Sequence, residues 1–329
     1  MMKNKFVSIC VLVILSTLLC VPCPASDKPF YVLDSDPGLD DLFALFVFVK
    51  GGGEPDACIS CYGNKPLSMT HRNLLLIQKY LGFKCKVFAG ASTPLNGKPF
   101  SEGDFHGSDG LAGIRELAMK MLQMEDPGDP VAVAPKTIAS ELMKHDNIVY
   151  VSFGPLTNLA RLLDAEPQLK KRISKGCLMG GGLKVFNKEH QTEFNFLADP
   201  EAVKKVFASG LDITIFPLDF THKYPLQKAQ LNALAGLDKY KHPVLVMCLY
   251  RSYLSCLIYN DNAGGAILHD AFTVLYVLNP GEFTITDKHL TVDEWGHIEE
   301  NPNGALIHVC TDTRPDILYQ ALKKGLSNP

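Results

Sequence analysis

Four aspartates fall within eight residues in Asp34-Ser35-Asp36-Pro37-Gly38-Leu39-Asp40-Asp41, directly after one apolar run and directly before another. Carboxylates crowded this closely repel one another, so a positive charge should hold them together. A strand ending at Asp36, a Pro-Gly turn and a helix from about Leu39 to Val49 would gather them at the carboxyl end of a β-strand, where open α/β sheets place their sites. Hard oxygen donors suit a hard cation, Ca²⁺ or Mg²⁺.

Later segments carry groups suited to a hydroxyl-rich substrate. If Glu193-Phe194-Asn195-Phe196 is extended, Glu193 and Asn195 point the same way and can grip vicinal hydroxyls. His269-Asp270 precedes the apolar stretch Ala271–Leu278, so Asp270 can reach a cation while His269 offers a proton. His106 lies in Phe105-His106-Gly107-Ser108-Asp109-Gly110, a glycine-rich loop able to fold over a site. Plainer readings compete: an aspartate before a helix is commonly its N-cap, and His222 reads as a hydrogen-bonded turn residue. Gly180-Gly181-Gly182 lacks the following Lys-Ser/Thr of a phosphate loop, and Gly51-Gly52-Gly53 reads as a helix stop.

The elements that must position these groups alternate. Strand-like runs at Phe30–Leu33, Ala57–Tyr62, Val87–Ala89, Ile148–Phe153, Cys177–Met179 and Ile213–Phe216 are separated by amphipathic stretches such as Leu67–Leu81, Lys136–Lys144, Leu156–Leu163 and Pro200–Ala208. That order predicts one α/β domain with a mostly parallel, Rossmann-like sheet flanked by helices and the site at the C-terminal ends of the strands. After Asp219 the pattern turns mostly helical to about Leu278, then strand-like over Glu282–Val292 and Ala305–Val309, before a closing helix at Asp316–Lys324.

Lys3 and Lys5, an uncharged run from Phe6 to Val21, and small residues up to Ser26 have the layout of a secretory signal peptide. Residues 1–26 are therefore expected to be removed, leaving a domain over 27–329 that is secreted to the extracellular space without stable membrane insertion. Hydrophobic content of 47% suits a globular enzyme, and a net charge of -3 with scattered Lys and Arg excludes a nucleic-acid polymer groove. Of the ten cysteines, Cys10, Cys20 and Cys23 fall in the leader, leaving an odd number. Cys58 and Cys61 mimic a redox or zinc pair but read as packing residues of a buried strand.

Taken in order, the motifs resemble those of the inosine-uridine-preferring nucleoside hydrolases over nearly the whole mature sequence. They are Asp34–Asp41, Gly63-Asn64, His106-Gly107 with Asp109-Gly110-Leu111, Gly154-Pro155-Leu156-Thr157-Asn158-Leu159-Ala160 and Met179-Gly180-Gly181. Glu193-Phe194-Asn195-Phe196 with Asp199-Pro200, Pro217-Leu218-Asp219 with Thr221-His222, and His269-Asp270 complete the series. The resemblance implies cleavage of the N-glycosidic bond of ribonucleosides by water, with tightly bound Ca²⁺. It implies Asp36, Asp41, Asp270 and the Phe153 carbonyl as calcium ligands, Asp40 as general base, and Asp34 as support for the metal loop. Asn64, Met179, Asn187, Glu193 and Asn195 would hold the ribose, His269 would be the acid for the leaving base, and His106 would sit beside it. Small ribonucleosides are thus the expected partners, with a homodimer or homotetramer in keeping with the family.

Elementary chemistry agrees: a ribosyl centre losing its base becomes oxocarbenium-like and needs a nearby anion, a positioned water and an acid. A site that reads ribose hydroxyls should treat deoxyribonucleosides poorly. The single tryptophan, Trp295, stands in a divergent segment, as do Tyr250–Tyr253 and Tyr259–Asn262, so no tyrosine is assigned to the base. Two other readings are a calcium-containing nucleoside-binding protein without turnover, and an aspartyl-phosphate phosphatase using Asp34 and Asp36; the rigid Pro37-Gly38 turn disfavours the latter.

Overall fold

Apolar side chains leave both faces of the early strands, and this decides the architecture. In β1 (Phe30–Ser35), Val32 enters one core and Leu33 the other; in β2 (Ala57–Ser60), Ala57 and Ile59 join Val32 while Cys58 joins Leu33. Strands apolar on both faces must be covered on both, which a parallel sheet with helical crossovers achieves. The computed structural model describes residues 28–100, 103, 105–237, 242–259 and 264–327; the expected leader lies outside them, as does Asn260-Asp261-Asn262.

From β1 the chain runs through α1 (Leu39–Lys50), β2, α2 (Leu67–Leu81), β3 (Lys86–Ala89), α3 (Arg115–Met121), α4 (Pro135–Leu142) and β4 (Ile148–Ser152). Next come α5 (Thr157–Ala165), β5 (Ile173–Met179), α6 (Phe194–Ala198), α7 (Pro200–Ala208), β6 (Ile213–Phe216) and α8 (Leu218–Thr221). It closes with α9 (Lys228–Leu237), α10 (Pro243–Ile258), α11 (Ala271–Leu278), β7 (Phe283–Val292), β8 (Ile298–Glu300), β9 (Ala305–Thr313) and α12 (Ile317–Ser327). The strands form one sheet in the order β3-β2-β1-β4-β5-β6-β9-β7-β8. All pairs from β3 to β9 are parallel, and β7 is antiparallel to both β9 and β8.

This order fixes where a site can form. The chain moves from β1 to β2 and β3 on one side, then returns to β4 and continues to β5 and β6 on the other. The crevice beyond the carboxyl ends of β1 and β4 is the topological switch point, where such sheets bind ligands. Asp34 pairs with Ser152 in that register, so Asp36 and the Phe153-Gly154 turn emerge side by side.

Two helices aim at the crevice. Helix α1 buries Leu42 through Phe48 without a polar stripe, and α11 buries Ala271 through Tyr276. Helices apolar all round must be interior elements, and these two pack against each other. Gly51 ends α1 as expected, its N–H bonding back to the Val47 carbonyl at 2.8 Å. Among the described residues no helix is long and apolar enough to cross a membrane.

Candidate active site

The Asp36-Pro37-Gly38 turn hands β1 to α1, and its own carboxylates tie it down. Asp41 accepts the Gly38 N–H at 2.8 Å and the Ser35 hydroxyl at 2.7 Å, so the third helical residue caps its own helix. Asp36 accepts the Asn64 N–H at 2.7 Å through Oδ2, and the Asn64 amide donates to the Asp36 carbonyl at 3.2 Å. Glycine is required on both sides of this carboxylate. A Cβ on Gly63 would lie 2.0 Å from Asp36 Oδ2, and one on Gly154 would lie 2.5 Å from Asp36 Oδ1.

Because α1 and α11 pack together, the first turn of one meets the first residue of the other. Ligand oxygens of Asp40, Asp41 and Asp270 all lie within 4.8 Å of one another. Asp270 occupies the N-cap position of α11 yet makes no side-chain bond to its helix; its carboxylate faces the other aspartates instead. Asp36 stands close enough to repel this group. Burial, the largest cause, together with mutual repulsion pushes Asp36 and Asp270 well above the ordinary carboxylate range and takes Asp40 up to about 8, while burial alone raises Asp41. Asp36 Oδ1 and Asp40 Oδ1 are buried with no hydrogen-bond partner. Orphaned carboxylate oxygens at two converging helix N-termini form a cluster that could hold a metal ion, and hard donors fit a hard cation.

Asp34 lies beneath this group. It accepts from the Tyr150 hydroxyl and the Asn158 amide, each at 2.7 Å, while burial pushes it up to about 7. Asn158 also accepts the Ala91 N–H at 2.7 Å, pinning the β3 turn to β1. Tyr150 was not anticipated; a tyrosine within a buried strand reads as ordinary core.

His106 folds over the turn as its loop suggested, but its role there is fixed by the backbone. Its Nδ1 accepts the Leu39 N–H at 3.0 Å and lies 3.9 Å from Asp40, in space a side chain at residue 38 would fill. Burial, helped by Lys65 and Lys188, lowers it to about 3, so the ring is neutral with its proton on Nε2. Beyond it Phe105 lies 4.9 Å from the His106 ring and 5.7 Å from the Tyr259 ring, making an aromatic rim.

His269 is set by α8: its Nδ1 lies 2.8 Å from the Thr221 hydroxyl and its ring 5.4 Å from that of His222. Burial first, then His222 and His106, holds it well below the usual histidine range. In the tautomer in which Nδ1 accepts the Thr221 hydroxyl, the neutral ring presents Nε2–H; in the other, Nδ1–H donates to Thr221 and Nε2 is an acceptor.

The extended reading of Glu193–Phe196 is corrected. Glu193 is the N-cap of the short helix α6, accepting the N–H groups of Gly181 and Asn195 at 2.9 Å and of Phe196 at 3.2 Å. Three donors converging on one buried carboxylate outweigh the alternation of the sequence, although burial still lifts Glu193 to about 7. Asn195 therefore reaches inward by a different route, its amide nitrogen 2.6 Å from the Phe153 carbonyl, 3.2 Å from that of Met179 and 3.4 Å from the Met179 sulfur. It thereby joins the ends of β4 and β5. Asn187 stands apart: it is exposed on the rim and accepts the Phe194 N–H at 3.1 Å, holding its loop to α6.

Known proteins resemble this chain in sequence and fold. The chain is 29% identical over 266 residues to the non-specific ribonucleoside hydrolase RihC of Escherichia fergusonii, covering 80% of this chain and 84% of that protein. It is 28% identical over 290 residues to the pyrimidine-specific ribonucleoside hydrolase RihA of Salmonella typhimurium, covering 87% and 91%. A plant nucleoside hydrolase superposes with a TM-score of 0.81 at 23% identity over 92% of this chain and 99% of its own, a likeness of fold. The purine-preferring ribonucleoside hydrolase of Gardnerella vaginalis gives 0.77 at 25% identity over 90% and 98%. The model of the inosine-uridine preferring nucleoside hydrolases matches residues 31–317, and the chain belongs to that family of enzymes acting on N-glycosyl bonds.

Proposed function

We propose that this protein is a secreted, calcium-dependent ribonucleoside hydrolase that releases free base and ribose. The observation that carries the calcium reading is the convergence of Asp40, Asp41 and Asp270 within 4.8 Å, with orphaned oxygens on Asp36 and Asp40. Asp36, Asp41, Asp270 and the Phe153 carbonyl would hold the ion, which when bound supplies a template for water and the ribose hydroxyls. The Phe153 carbonyl also accepts the Asn195 amide at 2.6 Å, which ties the expected metal-holding and sugar-holding residues together.

Asp40 takes the proton of the attacking water as its oxygen bonds to C1′ and the C1′–N bond breaks. Glu193, Asn195, Asn64 and Met179 surround the sugar, and Asn187 closes the rim. In the tautomer that accepts Thr221 at Nδ1, neutral His269 would hydrogen-bond the departing nitrogen through Nε2–H, and the released base takes its proton from solvent. His106 flanks the base and keeps the Asp36–Leu39 turn in place.

Purine ribonucleosides, and pyrimidine ones as well, suit a rim built from Phe105 and Tyr259. The one tryptophan is engaged elsewhere, stacked on His190 at 3.9 Å between centroids. Metal analysis tests the reading: purified protein should carry calcium, and Asp270→Ala should lose it while remaining folded. Calcium retained in that variant would refute the assignment. Export is checked by sequencing the N-terminus of protein recovered from the medium, expected near Ser26 or Asp27.

A further inference from the structure

The two cysteines that look like a pair in the sequence do not face each other. Cys61, three residues beyond Cys58, turns toward Asp34 and the Pro155 carbonyl, which lies 4.0 Å from its sulfur. Cys58 faces the opposite core, and there it meets Cys85, with the two sulfurs 3.5 Å apart. Parallel pairing explains this. Ala57 pairs with Lys86 and Cys58 with Val87, so Cys85, two residues before Val87, shares Cys58's face.

We propose that Cys58 and Cys85 are a disulfide-forming pair that covalently joins the edge strand β3 to β2 under oxidising conditions. Sulfurs in contact need to approach by only about 1.5 Å to reach bonding distance. Access is graded in the right order. Cys85 is half-buried where the chain enters the outermost strand, and Cys58 is fully buried behind it. The hydrogen bond with Cys58 lowers the Cys85 thiol, whereas that same hydrogen bond first and burial second raise Cys58, so the outer, half-buried sulfur is the better entering thiolate.

With a small disulfide such as oxidised glutathione as oxidant, the Cys85 thiolate attacks one of its sulfurs and expels a glutathione thiolate, which takes up the Cys85 proton. Cys58 then loses its proton to solvent and attacks Cys85 Sγ, forming the Cys58–Cys85 bond and releasing the second glutathione. Two protein thiols are oxidised and one small disulfide is reduced to two thiols. Neither cysteine touches the carboxylate cluster, so the inference stands apart from the hydrolase reading.

Folded protein equilibrated with oxidised glutathione, then denatured, alkylated and digested, should yield the Cys58 peptide linked to the Cys85 peptide, with two fewer alkylated thiols. Closing a loop whose ends are 27 residues apart should raise the Tm by about 5 °C, a rise absent in Cys85→Ser. Cys58→Ala should instead retain glutathione on Cys85, because the resolving thiol is gone. Both cysteines alkylated after oxidation, or a lasting glutathione adduct on Cys85 in the unaltered protein, would overturn the proposal.

Discussion

Removing divalent cations should turn the stability of this protein into a falling function of pH. Burial and repulsion from Asp41 raise Asp40 from 3.8 to about 8, burial and carboxylate repulsion raise Asp36 and Asp270, and burial raises Asp41. A carboxyl held above its unfolded value binds its proton more tightly in the folded state. The stability it contributes is complete below about pH 4 and is lost as pH rises through about 8. At ~1.4 kcal/mol per pH unit, the distance from 3.8 to about 8 corresponds to ~6 kcal/mol. The four carboxyls titrate as one unit, so that figure sets the scale for the cluster and not for Asp40 alone. It rivals the whole stability of many domains, roughly 5–15 kcal/mol. Urea unfolding of metal-stripped protein, followed by circular dichroism between about pH 5 and about pH 8, should show the midpoint falling steadily. Calcium should restore stability most at the alkaline end, where the ion replaces the lost protons. A stripped protein as stable at about pH 8 as at about pH 5 would refute the reasoning.

Four further outcomes follow from the geometry. Asp40→Asn should keep the fold and bound calcium but lower turnover by about 10²–10⁴-fold, as removal of a general base does; unchanged kcat would remove Asp40 from that role. His269 sits well below the usual histidine range, so kcat/KM should show no loss of activity from histidine deprotonation across about pH 6–8. His269→Ala should impair inosine more than an activated nitrophenyl riboside, and an equal loss on both would contradict its action on the leaving base. Gly63→Ala drives a Cβ to 2.0 Å from Asp36 Oδ2 and should destabilise by about 1–3 kcal/mol with weakened calcium binding. Gly236→Ala, with open space around it, is the control for melting and metal titration.

What was legible in the sequence was what local chemistry determines. The Asp34–Asp41 run announced itself because strand, turn, cap and helix are contiguous, and Leu67–Leu81, Pro200–Ala208 and Ile213–Phe216 form elements with those bounds. Asp270 taken alone read as an N-cap. Only the packing of two helices distant in sequence, both apolar on every side, brings it to Asp40 and Asp41. Glu193 was read on an extended backbone, because the donors that draw it into a helix cap include Gly181 from the end of β5. Asn187 carried a family role but stands on the rim, and Tyr150 was hidden in an apolar strand. The pairing of Cys58 with Cys85 depends on parallel register between β2 and β3, which spacing along the chain does not encode.

The most direct test of the account is a product assay with the purified protein on inosine, guanosine, adenosine and uridine, before and after metal stripping, with base and ribose quantified by chromatography. The account predicts base and ribose in equal amounts, loss of both on stripping, and recovery on adding calcium. Folded, calcium-loaded protein that leaves every nucleoside intact would contradict it and identify a nucleoside-binding protein instead.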